Sequence, residues 1–325
     1  MVDSLGLSYR NTWELNCIID EDMSGRPKFR CKDICIGGES FDFYFRDIVP
    51  CIRTLFGDPA FAKRLIFAPE HHYQDAGHTT QIFSEMHTGK WWWSVQVCPK
   101  ILPLLIVYLQ SSQKSLDLRS LGATVVPIII SSDKTQLTLF RSKTAYPIYM
   151  TIGNIPKDVC SKPMQHAQML MGYIPSTGLK HIRNRAAQRC ALANLFHPCM
   201  YKILSPIESY GETGVDMATG DSIWYRCHPI LVMFIGDYPE QSLVACTYSG
   251  RCPKCTVPRS ELGSSENFPL CDIQTAMDVF SLCDSDPTTF HAACHEVNPK
   301  PMYHPFWECL PFTNIFLSIT PDILH

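Results

Sequence analysis

The sequence predicts an α+β fold from three observations. Residues 123–130 (ATVVPIII) form a continuous apolar run rich in β-branched side chains, which is typical of a strand buried on both faces of a sheet. Two more strand-like segments, 146–152 and 167–174, follow with turn residues between them, so the three segments predict a meander. Residues 181–205 place apolar side chains at helical spacing, which predicts one amphipathic helix or two.

The flanking regions extend this pattern. A fourth apolar strand is predicted at residues 227–236 (CHPILVMFIG), and an aspartate follows it directly. Near the start of the chain, residues 42–46 are a candidate strand and residues 48–56 a candidate helix, in an N-terminal region that we expect to be mostly α-helical. A polar stretch over residues 259–289 precedes a tail rich in proline and aromatic residues.

The bulk composition excludes several classes of protein. Of the 325 residues, 46% are hydrophobic and 11% aromatic, which excludes a chain that is disordered throughout. Because 28 Lys and Arg face 31 Asp and Glu, contact with nucleic acid requires a basic patch assembled in three dimensions. The longest apolar run, residues 101–109, is far shorter than the roughly 20 residues that span a bilayer, so we expect no membrane segment.

Sixteen cysteines are scattered from Cys17 to Cys309. A secreted, disulfide-stabilised domain would be shorter and denser in cysteine, and the first residues lack the basic and apolar segments of a secretory signal. We therefore expect an intracellular protein whose cysteines are mostly reduced and buried, with one pair suited to binding a metal ion.

Asp133 and Asp237 each stand directly after a predicted buried strand. If these two strands are neighbours in one sheet, the carboxylates meet at one edge and offer the rigid oxygen ligands that Mg²⁺ prefers. A pair of such ions supports phosphoryl transfer. The alternative is local, because an aspartate after a strand also caps turns, and Asp237 stands where a helix begins at Tyr238.

The pair Cys252 and Cys255, in the sequence Gly-Arg-Cys-Pro-Lys-Cys, has the spacing of half a tetrahedral zinc site. Unligated thiols and a redox pair are the alternatives, although the strand and helix that surround a redox pair are missing here. The candidates for the other half of the site are His291, Cys294, His295 and His304. Of these, His291 and His295 have a spacing that suits zinc best.

Seven stretches carry a resemblance to a known family. They are residues 123–138, 146–157, 210–214 (YGETG), 236–241 (GDYPEQ), 250–255 (GRCPKC), 303–307 (YHPFW) and 314–325 (NIFLSITPDILH). In the same order, these stretches resemble the Plavaka-type transposases of fungi, relatives of the CACTA group in the DDE transposase superfamily. The similarity spans roughly residues 8–96 and 121–325.

The resemblance implies an RNase H-like core, a mixed sheet with flanking helices, that carries an Asp-Asp-Glu triad and binds two Mg²⁺ ions. The first two acids of the triad fall on Asp133 and Asp237, while Cys252 and Cys255 fall in an insertion that binds structural Zn²⁺. Such an enzyme cleaves DNA at the transposon ends and joins the freed 3′-hydroxyl to target DNA. The family also implies a nuclear location and a homo-oligomer for the full-length protein.

The resemblance divides the chain into five segments. They are an N-terminal transposase region (1–96), an atypical insertion (97–120), the first part of the core (121–250), an insertion containing the cysteine pair (251–310) and the start of the rest of the core (311–325). The second segment has no counterpart in the resemblance. Our hypothesis for it is a retained intron, because Val97 and Cys98 are the residues that a GTNTGT splice donor would encode in frame.

The third acid of the triad is expected beyond residue 325, which predicts a C-terminally truncated fragment with little or no strand-transfer activity. One alternative is a non-catalytic, zinc-stabilised remnant that binds DNA or protein. Another is an unrelated metal-dependent phosphohydrolase, which requires a third acidic ligand from this chain. Glu208, Glu212 and Asp216 are the candidates for that ligand, in a segment that we expect to be a solvated turn.

Overall fold

A computed structural model describes residues 26–96, 122–137, 144–284, 287–297 and 299–322. The expectations for residues 97–120, including the retained intron, lie outside these ranges. No helix within them is both long enough and apolar enough to cross a membrane.

The described strands and helices follow the chain in this order. The strands are β1 (Arg30–Ile36), β2 (Glu39–Phe45), β3 (His72–Tyr73), β4 (Gln81–Ile82), β5 (Gly122–Ser132), β6 (Thr135–Gln136), β7 (Thr144–Ala145), β8 (Pro147–Ile152), β9 (Met169–Tyr173), β10 (Val215–Ala218), β11 (Trp224–Gly236) and β12 (Ile319–Pro321). The helices are α1 (Ile48–Phe56), α2 (Lys90–Gln96), α3 (Lys157–Cys160), α4 (Arg185–Leu204), α5 (Pro206–Thr213), α6 (Tyr238–Val244), α7 (Ile273–Phe280), α8 (Pro287–Val297) and α9 (Ile315–Ser318).

Eight of the described strands form one mixed sheet, which confirms the α+β class. The order is β1-β2-β9-β8-β5-β11-β10, and β12 pairs with the end of β11. Strands β5, β8 and β9 pair antiparallel in sequence order, so the predicted meander is confirmed. Strand β11 lies parallel to β5, and β12 lies parallel to β11. The carboxyl ends of β5, β11 and β12 therefore lie at the same edge of the sheet.

Strand β5 is buried on both faces, as its apolar run predicts. Val126, Ile128 and Ile130 belong to the main hydrophobic core. Val125 points to the other face, where it packs in a smaller cluster with Trp92 of α2. Since an alternating strand sends successive side chains to opposite faces, an unbroken apolar run is what a layer on each side requires.

The expectation of a mostly α-helical N-terminal region is wrong for residues 26–96. Strands β1 and β2 form a hairpin, and β2 joins the main sheet by pairing with β9. The hairpin turns at Gly37 and Gly38, whose φ angles of 61° and 82° suit glycine. Two glycines between alternating segments are a hairpin signal that outweighs the weak apolar character of β1. The candidate helix at 48–56 is confirmed as α1.

Helix α4 covers one face of the sheet and is the single long helix that the spacing over residues 181–205 allowed. Asn184 caps its start by accepting the N–H groups of Ala186 and Ala187. Phe196, in its middle, packs against Tyr146 and Phe234 of the sheet region. The segment expected to be a solvated turn after α4 is instead helix α5 followed by strand β10.

Candidate functional site

Asp133 and Asp237 lie at the same edge of the sheet. Strand β5 ends at Ser132 and β11 at Gly236, and their parallel ladder continues to the pair Ile235–Ser131. Each aspartate is the next residue after its strand. The two strands are therefore neighbours, which is the condition for the two carboxylates to lie close together although the residues are distant in sequence.

Asp237 also caps the start of helix α6, as the alternative interpretation predicted. This capping role is compatible with its position next to the end of β5. Its side-chain Oδ1 accepts the backbone N–H of Glu240 at 2.9 Å, in the first turn of α6. This turn places a third carboxylate at the site. Glu240 is buried, its Oε2 accepts a hydrogen bond from Ser132 Oγ at 3.0 Å, and its Oε1 accepts one from the hydroxyl of Tyr146.

The pKa of Glu240 is affected by the charges of both aspartates. Burial, together with the smaller effect of the negative charges of Asp237 and Asp133, raises the pKa of Glu240 to about 7, against the hydrogen bonds from Tyr146 and Ser132, which lower it. Burial also raises the pKa of the Tyr146 hydroxyl, with the Glu240 carboxylate as the next cause. Three carboxylates thus share one partly buried edge, where a cation would relieve their repulsion.

Replacing Glu240 by glutamine should remove a component of stability that decreases as the pH rises. The glutamate titrates near 4.5 when unfolded and near 7 when folded, so between these values the folded chain holds a proton that the unfolded chain has lost. The contribution of Glu240 to stability is therefore highest below about pH 4.5 and falls by on the order of 3 kcal/mol as the pH rises from 4.5 through 7. Urea unfolding of wild type and Glu240→Gln at about pH 5 and pH 7.5 measures this difference.

The comparison between variants is needed because another buried group acts in the opposite direction. Burial lowers the pKa of His197 to about 4, so its neutral form stabilises the fold above its ordinary pKa of 6.5 and this stability is lost as the pH falls. Glu261→Gln, at an exposed position, is the matched control. An unchanged slope in Glu240→Gln would contradict the assignment.

A further aspartate stands beside the pair. Strand β12 is parallel to β11, and its last pair joins Gly236 to Pro321. Asp237 and Asp322 are the next residues on the two strands, and the N–H of Asp322 donates to the carbonyl of Gly236 at 3.2 Å. Three neighbouring parallel strands therefore each lead directly into an aspartate, and this arrangement depends on a pairing that the sequence does not reveal.

The acidic residues weighed as third ligands lie elsewhere. Asp216 pairs with Arg226 near the start of β11, with 2.9 Å between Oδ1 and Nη1. Arg226 is about 30 Å along the strand from Gly236, given about 3.3 Å per residue. On helix α5, burial and the neighbouring Glu308 raise the pKa of Glu208. The acidic residues that the structure places beside Asp133 and Asp237 are instead Glu240 and Asp322. Glu240 follows Asp237 at the Asp-x-x-Glu spacing that is typical of a helix start.

A groove with basic residues adjoins the carboxylates. It has a volume of about 450 Å³ and contains Lys134, next to Asp133, together with Arg189 and Lys300. Tyr146 and Tyr238 line the same groove. These cations come from three separate parts of the chain, so they form the kind of local basic patch that composition alone does not reveal.

The cysteine pair forms a compact turn. Cys252 Sγ accepts the backbone N–H of Lys254 at 3.4 Å. Although burial opposes it, this N–H and the neighbouring Cys255 lower the pKa of the Cys252 thiol. Burial and both thiols of the pair raise the pKa of Cys271 to about 11, which places Cys271 close to them. All three cysteines line a cavity of about 360 Å³.

The predicted histidine partners are not assembled with this pair among the described residues. His291 is exposed on α8 and forms no group with Cys252 and Cys255 in which three ligand atoms lie within 4.8 Å of one another. The side chain of His295 lies outside the described part of the structure. The thiol that sequence spacing missed is Cys271, which reaches the pair through the hydrogen bond from its N–H to the carbonyl of Lys254 at 2.9 Å.

The cysteines in the described ranges are free thiols. Most are buried or half-buried, as expected for reduced core residues, while Cys31, Cys35 and Cys309 are exposed.

Comparison with known protein families gives a match over nearly the whole chain. The family model described as Plavaka transposase matches residues 9–325, a range that contains both aspartates and the cysteine pair. No curated protein matches the chain.

Proposed function

Because the chain belongs to the Plavaka transposase family, we propose that it carries the phosphoryl-transfer site of a DNA transposase at the edge where β5 and β11 end. Asp133 and Asp237 are the proposed catalytic carboxylates. The observation that carries this proposal is that two aspartates distant in sequence follow adjacent parallel strands directly. The substrate is the phosphodiester backbone of transposon ends and target DNA.

The proposed core is RNase H-like. The topology supports this: three antiparallel strands in sequence order are followed by helix α4 and then by β11, which lies parallel to the first strand on its free side. The first proposed acid ends the first strand and the second ends β11. Strand β12 extends the order on the far side of β11.

The residues at this edge fit Mg²⁺. Hard carboxylate oxygens on rigid strands suit this ion, and the raised pKa of Glu240 is caused in part by the charges of both aspartates. Asp133 and Asp237 would hold the metal, with one Asp237 oxygen retained as the helix cap. Bound Mg²⁺ supplies Lewis-acid stabilisation of the attacking and leaving oxygens of the phosphate.

The remaining steps belong to side chains of this chain. Glu240 is held by Tyr146 and Ser132, and its pKa of about 7 means that it carries less negative charge near neutral pH than an ordinary glutamate. Through the hydrogen bond from its N–H to Asp237 Oδ1, it is a positioning residue for that carboxylate. Lys134, beside Asp133, is placed to bind a phosphate next to the one that reacts.

We expect weak strand transfer from the 325-residue chain alone. Because Glu240 is engaged by two hydrogen bonds, metal binding at this edge depends on Asp133 and Asp237, together with any contribution from Asp322. Two carboxylates hold a pair of Mg²⁺ ions poorly. The alternative, a non-catalytic remnant stabilised by zinc, shares the fold but predicts DNA binding without any cleavage.

Metal-dependent nicking of labelled plasmid tests the proposal. Any nicking in Mg²⁺ or Mn²⁺ should disappear in Asp133→Asn and Asp237→Asn and persist in Asp216→Asn, whose carboxylate lies near the opposite end of β11. Nicking by Asp133→Asn at the wild-type rate would contradict the assigned site. Robust strand transfer by the wild type, lost in Asp133→Asn, would overturn the expectation of weak activity. Tight DNA binding with no nicking would favour the non-catalytic remnant.

The basic groove should bind the DNA backbone. Replacing Lys134, Arg189 or Lys300 by alanine should weaken binding to all sequences alike and reduce the salt dependence by about one unit of slope per lost phosphate contact. Fluorescence anisotropy of a labelled duplex over a salt series measures this slope. Lys63→Ala, at an exposed position outside the groove, is the control. Equal slopes for the groove variants and the control would place the DNA elsewhere.

We further propose structural Zn²⁺ at Cys252 and Cys255. The N–H groups directed at Cys252 support a thiolate there, and Cys271 joins His291 and His295 as a candidate for the remaining ligands.

A further inference from the structure

A second group of metal-binding side chains lies at the end of helix α7, apart from the cysteine pair. Cys283 and Asp284 are in the turn after α7, and His304 approaches them from the chain after α8. The Nε2 atom of His304 is 3.7 Å from Cys283 Sγ and 3.3 Å from Asp284 Oδ1. All three ligand atoms lie within 4.8 Å of one another.

These separations match those around a zinc ion. With a Zn–S bond of about 2.3 Å and Zn–N and Zn–O bonds of about 2.1 Å, tetrahedral geometry places sulfur and nitrogen about 3.6 Å apart and nitrogen and oxygen about 3.4 Å apart. The observed distances of 3.7 and 3.3 Å are close to both values. A simple contact between the Cys283 thiol and the His304 imidazole would not explain why the Asp284 carboxylate also approaches Nε2 of His304.

The other nitrogen of the imidazole is also engaged by a carboxylate. His304 Nδ1 is 3.3 Å from Glu308 Oε1. A metal-binding histidine commonly donates its second N–H to a carboxylate, which fixes the tautomer and the orientation of the ring. A neutral imidazole has a single N–H, so with Nδ1 bonded to Glu308 its Nε2 lone pair faces Cys283 and Asp284. A cation between these three atoms satisfies all of them.

A buried thiol near Cys283 is a candidate for a fourth ligand. Cys294, on α8, is fully buried, and burial, followed by the charge of the neighbouring Cys283, raises the pKa of its thiol to about 11. His304 and Asp284 are more than half exposed, so an ion bound here also has access to water. One thiolate, one imidazole and one carboxylate, completed by a second thiolate or a water, form a ligand set that suits zinc over Mg²⁺ or Ca²⁺.

We propose that Cys283, Asp284 and His304 bind a structural zinc ion, with Glu308 orienting His304 and Cys294 as the candidate fourth ligand. This site is separate from Cys252 and Cys255 and does not depend on the proposed transposase activity. The ion would join the end of α7 to the segment just before Trp307.

Metal content in a double variant tests the proposal. In Cys252→Ser/Cys255→Ser, which lacks the other thiol pair, the folded chain should retain one Co²⁺ or Zn²⁺ after removal of excess metal. The Co²⁺ form should show absorption from thiolate-to-metal charge transfer. Adding Cys283→Ser or His304→Ala should abolish both signals. Adding Glu308→Gln should weaken the affinity by about 10–100-fold while leaving the stoichiometry at saturation unchanged.

The controls are a thiol and a histidine outside the group. Cys309→Ser removes an exposed thiol, and His181→Ala removes an exposed imidazole that pairs with Glu39 at 2.8 Å. Neither should change the metal content. If the double variant does not fold, the same comparison is made with Cys252 and Cys255 intact, where His304→Ala should bind one ion fewer than wild type. Equal metal content in folded His304→Ala and its parent would overturn the proposal, as would a folded double variant that binds no metal.

Discussion

Asparagine at position 133 or 237 should reduce the affinity of the folded chain for Mn²⁺, a substitute for Mg²⁺, by at least about a hundredfold. Partners in the outer shell of a metal site alone account for about 10–100-fold in affinity, so removal of a direct carboxylate ligand should cost no less. Both substitutions preserve side-chain size. Because the amide side chain in Asp237→Asn retains an oxygen for the N–H of Glu240, helix α6 should remain capped.

Electron paramagnetic resonance of free Mn²⁺ during a titration measures this loss. Asp216→Asn is the matched control, because Asp216 lies on β10 beside the first half of β11 and pairs with Arg226. Asp322→Asn separates the contribution of β12 from that of the other two strands. Wild-type affinity in both Asp133→Asn and Asp237→Asn would mean that the two strand ends hold no common ion.

Replacing Trp307 by alanine should destabilise the fold by about 3–5 kcal/mol, the range for a fully buried aromatic side chain. Trp307 is 2% exposed, and its indole N–H donates to the carbonyl of Val244 at 2.7 Å. Its ring packs edge-on against Phe280 of α7 and Phe316 of α9. The substitution thus removes a contact shared by α6, α7 and α9, and it leaves the Val244 carbonyl without this donor.

Urea unfolding followed by circular dichroism measures the effect of this substitution. Leu317→Ala is the control, since Leu317 follows Phe316 on α9 but is 59% exposed, and its replacement should change stability by about 0.5 kcal/mol or less. Because Trp307 contacts α6, α7 and α9, we also expect the segment containing the cysteine pair to unfold together with the sheet. A Trp307→Ala variant as stable as Leu317→Ala would show that this segment is attached loosely.

The elements built from local patterns were predictable from the sequence. Strands β5, β8, β9 and β11 and helix α1 lie where apolar runs and helical spacing place them, because burial on one or both faces leaves a strong periodic signal. Strand β1 was missed because it is an exposed edge strand with little apolar character. Its signal was the turn at Gly37 and Gly38 rather than its own residues.

The candidate sites depend on contacts that the sequence only partly reveals. Asp133 and Asp237 were identified because each ends an apolar strand, but the parallel pairing of β5 and β11 joins distant segments and had to be assumed. Glu240 was missed because a glutamate in the first turn of a helix is ordinary in sequence, and burial against Tyr146 is what distinguishes it.

Metal ligands beyond the cysteine pair were the least predictable part of the sites. Ligand spacing favoured His291 and His295, whereas a β-bridge between Cys255 and Leu270 brings Cys271 beside the pair instead. Spacing along one helix is a local property. The position of Cys271, in contrast, is set by backbone pairing between residues that are distant in sequence, Leu270 with Cys255 and Cys271 with Lys254.

Iron-directed cleavage of the polypeptide tests most directly whether the ends of β5 and β11 bind divalent metal at one shared site. Fe²⁺ bound in place of Mg²⁺ produces hydroxyl radicals in the presence of ascorbate and peroxide, which cut the backbone near the ion. We predict cuts next to both Asp133 and Asp237, suppressed by excess Mg²⁺ and missing in Asp133→Asn. Cuts next to one aspartate alone, or cuts at both that Mg²⁺ does not suppress, would contradict a shared site.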